Sequence, residues 1–384
     1  MNLKLLDFIK NNPTDWKDKL SKPPYAIDIK ENNDYMLLKY NQIESKFNDI
    51  NCFPVIRECR GIILKKDNFI PCCIPFFKFG NYGESYADKI DWNTARVQDK
   101  IDGSLIKVWF ENNNWNISTN GTINAFEAKC PTGETFGDLF LECVDNTPRE
   151  KFNSETFWEF CNSSLNKYYT YMFEMVHHLT RVVIRYDKPM VFHIGTRNNI
   201  TGEEIIQDIG IQHPKEYKFN SLEDVIAIAQ TLPYSEEGYV VVDNNWNRVK
   251  VKSPSYVAVH HLKNSGVITY KRIMELVFKG ETEEFLIYFP EFKPYIDKAD
   301  KAFKNYVEQT NIVINNIKDK KFETRKDYAL VVTKTQCPDF FFKVLDGKYD
   351  WNGFYQYNKD GGAEKLAKIL KLKDEKVKEA DGIE

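Results

Sequence analysis

From about residue 34 to residue 253 the chain repeats one pattern: short β-branched or aromatic runs separated by Asn, Asp, Gly and Pro. Runs of this length closed by turn formers predict strands that reverse on their neighbours, that is, antiparallel hairpins. Four pairs carry the pattern. Residues 61–64 turn through 65–68 into 69–74, and residues 105–110 turn through 111–114 into 115–119. Residues 181–186 read as returning through 190–196 across Asp187, Lys188 and Pro189, and residues 239–243 return as 248–252 across 244–247. Residues 125–130 and 136–143 read as short helices, and Ser221, followed by Glu223 and Asp224, reads as the N-cap of a clearer one. After Pro254 the period changes. Ile296, Ala299, Phe303, Tyr306, Val307, Val313, Ile314 and Ile317 recur at helical spacing, and the Lys-rich stretch 365–378 reads as a solvated helix or basic tail. The expected fold is therefore α+β: an antiparallel β-rich domain over residues 1–264, then an all-α domain over residues 265–384.

A length of 384 residues accommodates two domains. No stretch approaches the roughly 20 uncharged apolar residues of a membrane span, and residues 1–10 lack the apolar core of a signal peptide. The expected location is the cytoplasm, that of a host cell if the chain is phage-encoded, with no membrane and no obligate protein partner. A net charge of −3 means that any nucleic-acid site must be a local basic cluster. The eight cysteines are scattered, without a Cys-x-x-Cys pair, which favours reduced packing residues over a disulfide framework or structural zinc.

Three local signals point to chemistry. Lys100-Ile101-Asp102-Gly103-Ser104 opens the strand 105–110. An Asp-Gly dipeptide is also an ordinary surface turn, so this signal is ambiguous by itself. Glu237-Gly238 opens another strand, whose hairpin partner reads Val249-Lys250-Val251-Lys252. Strand alternation puts Lys250 and Lys252 on one face and the two valines on the other. Like charges at that spacing suit a solvated edge or a bound anion such as phosphate. The third signal is Phe173-Glu174 within the run 171–176.

Taken in chain order, Lys100-x-Asp102-Gly103, Phe173-Glu174, Glu237-Gly238 and Lys250-x-Lys252 resemble motifs I, III, IV and V of the covalent nucleotidyltransferases: ATP-dependent DNA ligases, RNA ligases and mRNA capping enzymes. Tyr40-Asn41, then residues 57–62 (Arg-Glu-Cys-Arg-Gly-Ile), then residues 77–81 (Phe-Lys-Phe-Gly-Asn) narrow the resemblance to the T-even phage RNA ligase 1 family, over residues 35–261. The resemblance implies a nucleotidyltransferase (ATP-grasp-like ligase) domain. It implies that Lys100 is the nucleophile, that Tyr40, Arg60 and Lys78 contact ATP, and that Asp102, Gly103 and Gly238 shape the nucleotide site. It also implies that Lys250 and Lys252 balance charge on the phosphate, that Glu174 binds the ribose or orients the nucleotide, and that Glu237 holds a metal, Mg²⁺ or alternatively Mn²⁺. Glu283 sits where the family has an acidic pair near a metal; a helix N-terminal acid is the competing account. His260 and His261, without nearby Asp or Cys, read as packing residues.

Two departures stand out. The family places a basic residue in the strand after motif I, before a glycine, where this chain has Ser118-Thr119-Asn120-Gly121. Gly80 stands where the relatives tend to have an aromatic residue.

A free lysine with a pKa near about 10.4 is neutral only about 0.04% of the time at pH 7, a deficit of roughly 4.6 kcal/mol, so the site must activate Lys100. Neighbouring cations and desolvation both act in that direction. The reaction that the resemblance implies is ATP-dependent joining of a 5′-phosphate and a 3′-hydroxyl of single-stranded or broken-loop RNA, such as tRNA, through lysyl-AMP and RNA-adenylate. A DNA ligase and a catalytically silent RNA-binding relative are the competing readings. A capping enzyme is disfavoured because no small β-barrel pattern follows Lys252.

Overall fold

The structure, a computed structural model, describes residues 3–148, 156–262, 267–372 and 378–379. The chain divides into two compact units, Met1–His260 and His261–Glu384.

The first unit opens with helices α1 (Lys4–Asn11) and α2 (Trp16–Ser21), then strands β1 (Ile27–Glu31) and β2 (Tyr35–Tyr40), helix α3 (Phe53–Glu58), and strands β3 (Arg60–Lys65) and β4 (Pro71–Cys73). These four strands form one sheet in the order β1-β2-β3-β4, antiparallel throughout. Alternation divides its side chains between two cores. Met36, Leu38, Ile62 and Leu64 pack with α1 and α3, while Leu37, Ile63 and Cys73 face Trp109. Glu58 fixes α1 from outside the helix, since its carboxylate accepts the orphan N–H groups of Lys4 (3.0 Å) and Leu5 (2.8 Å).

Two more sheets follow. Strands β5 (Gly80–Asn81), β6 (Arg96–Asp99), β7 (Ser104–Glu111) and β8 (Asn114–Thr119) lead to helices α4 (Phe136–Asn146) and α5 (Phe157–Ser164). Then come β9 (Tyr169–Val176), β10 (Met190–Asn198), β11 (Glu204–Ile205), β12 (Glu216–Tyr217), helix α6 (Leu222–Ala229), β13 (Gly238–Val242) and β14 (Arg248–Lys252). One sheet runs β11-β10-β9-β7-β8 and the other β12-β6-β13-β14-β5, where only the β14–β5 contact is parallel. The first is backed by α4 and α5 through Phe140, Phe157, Phe160 and Phe173; the second is backed by α6 through Val225 and Ala229. Consecutive strands β6 and β7 belong to different sheets, so residues 100–103 are the crossover between them.

Three of the four expected hairpins form: β3–β4, β7–β8 and β13–β14. The fourth does not. The partner of β10 is β9, with Val191 opposite Met175, and residues 181–186 are a loop. The physical reason is a competing set of partners. Val183 and Ile184 donate their N–H groups to the Asp102 carboxylate instead of to a ladder. The expected helix at 125–130 is only a single 3-10 turn, Ala125–Glu127, whereas the expected one at 136–143 extends to Asn146 as α4. Ser221 caps α6 by accepting the Asp224 N–H at 3.1 Å. All eight cysteines are buried and free of disulfides.

Helix α7 (Pro254–Leu262) follows β14. The second unit contains a short ladder of β15 (Val267–Ile268) with β16 (Lys378–Glu379), an exception to the all-α expectation. Its helices are α8 (Tyr270–Lys279), α9 (Thr282–Tyr288), α10 (Lys293–Ile317), α11 (Arg325–Val332), α12 (Pro338–Leu345) and α13 (Phe354–Ile369). The buried stripe of α10 is Ile296, Ala299, Phe303, Tyr306, Thr310, Ile314 and Ile317. Residues 373–377 of the Lys-rich stretch lie outside the described residues. No helix among the described residues is long and apolar enough to cross a membrane.

Candidate active site

Sheet register brings the motifs together. Asp99, the last residue of β6, lies opposite Tyr239 of β13, and the next residue, Lys100, donates its backbone N–H to the Gly238 carbonyl at 2.9 Å. Glu237 immediately precedes β13, so the Lys100 side chain meets it: Nζ donates to Oε2 at 2.8 Å. Gly238 pairs with Lys252 across the hairpin, and Lys252 Nζ stands 3.4 Å from the other Glu237 oxygen. Glu237 is 4% exposed, and its carboxylate is thus shared between the two lysines.

Two glycines make this approach feasible. Gly238 has φ +129°, and a Cβ there would lie 2.2 Å from the Val251 carbonyl oxygen. At Gly103 a Cβ would lie 2.4 Å from the Met175 carbonyl oxygen on β9. A side chain at Gly103 would push the crossover away from β9, and one at Gly238 would push β13 away from β14.

On the other side of the crossover, β7 pairs with β9 so that Leu105 faces Glu174. Burial raises the Glu174 carboxyl to about 7; Lys100 and Arg60 pull against this shift and Glu237 adds to it. The first sheet supplies Arg60 and Lys39, and Lys78 follows its last strand. Burial would raise the Tyr40 phenol, but Lys78, Arg60 and Lys39 outweigh it and hold the group below the ordinary tyrosine value; Arg60 also hydrogen-bonds it. Lys78 is buried in a ring cage, with Nζ 4.3 Å from the Phe47 centroid, 5.0 Å from Tyr40 and 5.3 Å from Tyr86. Arg60 and Lys250 both lie over Phe79, at 5.5 Å and 5.2 Å. Tyr40, Arg60, Lys78, Lys100, Glu174, Glu237, Lys250 and Lys252 are therefore linked through shared partners in one site.

Asp102 is placed differently from a nucleotide ligand. Its Oδ2 accepts the N–H groups of Val183 (2.9 Å) and Ile184 (2.7 Å), and Oδ1 accepts the Tyr256 hydroxyl at 2.8 Å. Its own N–H donates to the Tyr186 hydroxyl at 3.0 Å. Asp102 ties the crossover to the 181–186 loop and to α7, which makes it a positioning residue. Glu283 occupies the first turn of α9 in the second unit. Among the described residues no three His, Cys, Asp or Glu side chains cluster to hold a metal. His260 stacks on Tyr256, with centroids 5.9 Å apart.

Sequence reasoning missed four contributors: Phe79, Tyr256, Lys39 and Lys107. Tyr256 has a legible cue, four residues beyond Lys252. The two lysines stand where the family's basic residue is missing: a Cβ on Gly121 would lie 3.7 Å from Lys39 Nζ, and a Cβ on Gly61 would lie 3.0 Å from both Lys107 Nζ and the Asn120 Cα. Lys107 is fully buried and donates to the Gly61 carbonyl. Burial lowers its amine to about 8; Cys73 pulls against this shift, while Arg60 and Lys39 add to it.

The donor set fits a divalent cation held largely by substrate phosphates. Mg²⁺ commonly takes one or two protein carboxylates and completes its shell with phosphate oxygens and water, and Glu237 is the carboxylate beside Lys100.

The profile of the RNA ligase family matches residues 58–256, just over half of the chain. A protein of Autographa californica nuclear polyhedrosis virus, described as a bifunctional polynucleotide kinase/RNA ligase, is 33% identical over 304 residues, covering 74% of this chain and 42% of that protein. The chain thus spans less than half the length of this relative. An RNA ligase of Rhodothermus phage RM378 is 23% identical over 401 aligned positions, covering 84% of this chain and 87% of that one. Among solved structures, an archaeal ATP-dependent RNA ligase superposes with a TM-score of 0.45 at 11% identity, covering 86% of this chain and 89% of that chain. The chain belongs to the RNA ligase family.

Proposed function

We propose that this protein is an ATP-dependent RNA ligase that joins a 5′-phosphate and a 3′-hydroxyl through an AMP linked to Lys100. The observation that carries the reading is the Lys100 amine, 2.8 Å from Glu237, with its backbone locked to Gly238 and with Lys252 on the same carboxylate. This is a lysine held in one orientation by both its main chain and its side chain, as a positioned nucleophile requires.

In the first step Lys100 leaves Glu237 and passes a proton to solvent, and its nitrogen lone pair attacks the α-phosphorus of ATP, a second proton leaving the nitrogen for solvent. The P–N bond forms as the P–O bond to pyrophosphate breaks. Lys250 and Lys252 face the charge that develops on the phosphate oxygens, as fixed cations do in phosphoryl transfer. Tyr40, Arg60 and Lys78 hold the nucleotide, and Glu174 accepts from its ribose. A divalent metal, Mg²⁺ or Mn²⁺, held beside Glu237 would supply further neutralisation of the triphosphate; Glu283 is a second candidate contact. In the second step an RNA 5′-phosphate oxygen attacks the same phosphorus and Lys100 leaves. In the third the 3′-hydroxyl of the other end displaces AMP. Repair of broken RNA, including tRNA, in the cytoplasm is the role this chemistry suits.

The test is a joining assay with ATP and metal on 5′-phosphorylated single-stranded RNA and, separately, on nicked duplex DNA. The expected result is RNA joining by the native chain and none by Lys100→Ala. Sealing of the DNA nick alone would make it a DNA ligase. RNA affinity with no joining of either substrate would make it a silent binding relative.

A further inference from the structure

Beside Gly103, between the motif I crossover and the 177–189 loop, lies a cavity of about 490 Å³. This is within the range of roughly 300–1,000 Å³ found for sites that hold small molecules, and larger than one isolated ion needs. Its charged lining is unbalanced. Arg181, Arg185 and Lys188 contribute three cations, against Asp187 and Asp102. Asp102 offers no free oxygen, because Val183, Ile184 and Tyr256 already donate to its two. Arg181, Arg185 and Lys188 are exposed, and among the described residues none of them makes a hydrogen bond or an ion pair. Unpaired guanidinium groups around a concave site on a chain of net charge −3 mark a local anion seat.

The position of the cavity relates it to the reaction. The same Asp102 that follows the nucleophile by two residues clamps Val183 and Ile184, which lie between the two arginines, and its N–H holds Tyr186. The cationic loop is therefore held in register with the Lys100 crossover. The cations on the nucleotide side, Arg60, Lys78, Lys250 and Lys252, have ring or carboxylate contacts there. The loop arginines remain available for a second phosphate.

We infer that this cavity seats the 5′-terminal phosphate of the RNA strand, with Arg181 and Arg185 as its ligands. Held there, a phosphate oxygen attacks the α-phosphorus of the Lys100-linked AMP. The new P–O bond forms as the P–N bond breaks, and the Lys100 amine departs with a proton taken from solvent. The inference rests on the RNA-joining reading.

The experiment measures binding of a short, 3′-labelled single-stranded RNA by fluorescence anisotropy on the full chain without ATP. The 5′-phosphorylated and 5′-hydroxyl forms are compared across a salt series. The expected result is a native preference for the 5′-phosphate. Arg181→Ala combined with Arg185→Ala should weaken binding of the phosphorylated strand at least about tenfold and reduce the log–log salt slope by about 0.7, the value for one phosphate contact on a single strand. Arg→Lys at both positions should recover much of the affinity, which a merely misfolded loop would not. Equal weakening for both oligonucleotides, or no weakening, overturns the assignment. Because no ATP is present, a chain that fails to take AMP on Lys100 yet shows this arginine-dependent preference counts against the joining reading alone.

Discussion

Glu174 and Gly238 show how single residues set the site. Burial lifts the Glu174 carboxyl to about 7, above the ordinary value of about 4.3. Between those values the folded chain keeps a proton that the unfolded chain has lost, so this residue's contribution to stability falls as pH rises through that window. Glu174→Gln removes the dependence. Thermal unfolding from about pH 5 to about pH 8 should show the variant gaining on the native chain by on the order of 2 kcal/mol; a constant difference would contradict this electrostatic picture. Gly238→Ala forces a side chain into a left-handed backbone against the Val251 carbonyl, and should cost about 1–3 kcal/mol in denaturant unfolding. Lys100, Glu237 and Lys250 were legible because motif order is a property of the chain itself. Lys39 and Lys107 were not, because they approach Gly121 and Gly61 from strands β2 and β7 and only the folded register shows the approach.

Between elements, a buried ionic cluster joins the β10–β11 sheet to the β13–β14 hairpin. Glu204 accepts from Arg197 at 2.6 Å and from both terminal nitrogens of Arg248 at 2.7 and 2.6 Å, and the two guanidinium groups lie over Phe77 and Phe76. Removing the shared carboxylate leaves two buried cations facing each other. Glu204→Ala should therefore destabilise the chain by about 3–5 kcal/mol in denaturant melts, whereas Glu216→Ala, at an exposed ion pair, should change it by less than about 1 kcal/mol. Pattern reading worked where a strand's neighbour is its next in sequence, as in β7–β8 and β13–β14. It failed at residues 181–186 because the β-branched run Val182-Val183-Ile184 looks like a strand. The buried Asp102 carboxylate, 81 and 82 residues before Val183 and Ile184, takes the backbone donors that a strand would need. In α10 the apolar stripe was legible, but its Thr310 turn was not. The Thr310 hydroxyl is satisfied by the Tyr306 carbonyl at 2.8 Å, which lets a polar residue sit in the core stripe.

For the molecule as a whole, all eight linked site residues belong to Met1–His260, while Glu283 belongs to His261–Glu384. A chain ended within residues 263–266, which keeps Tyr256 and its bond to Asp102, should still take AMP onto Lys100; loss of RNA joining in that truncation would assign substrate handling to the second unit. The helical character of that unit was legible from spacing after Pro254. Its packing was not, because the stripes of separate helices do not specify which faces meet. The central claim is that one amine, held in place by Glu237 and Gly238, carries the nucleotide. Peptide mass spectrometry after incubation with ATP and Mg²⁺ tests it directly. The account predicts an AMP adduct on the Lys100 peptide and its absence from Lys100→Ala. An adduct on any other residue, or none in the native chain, would contradict it.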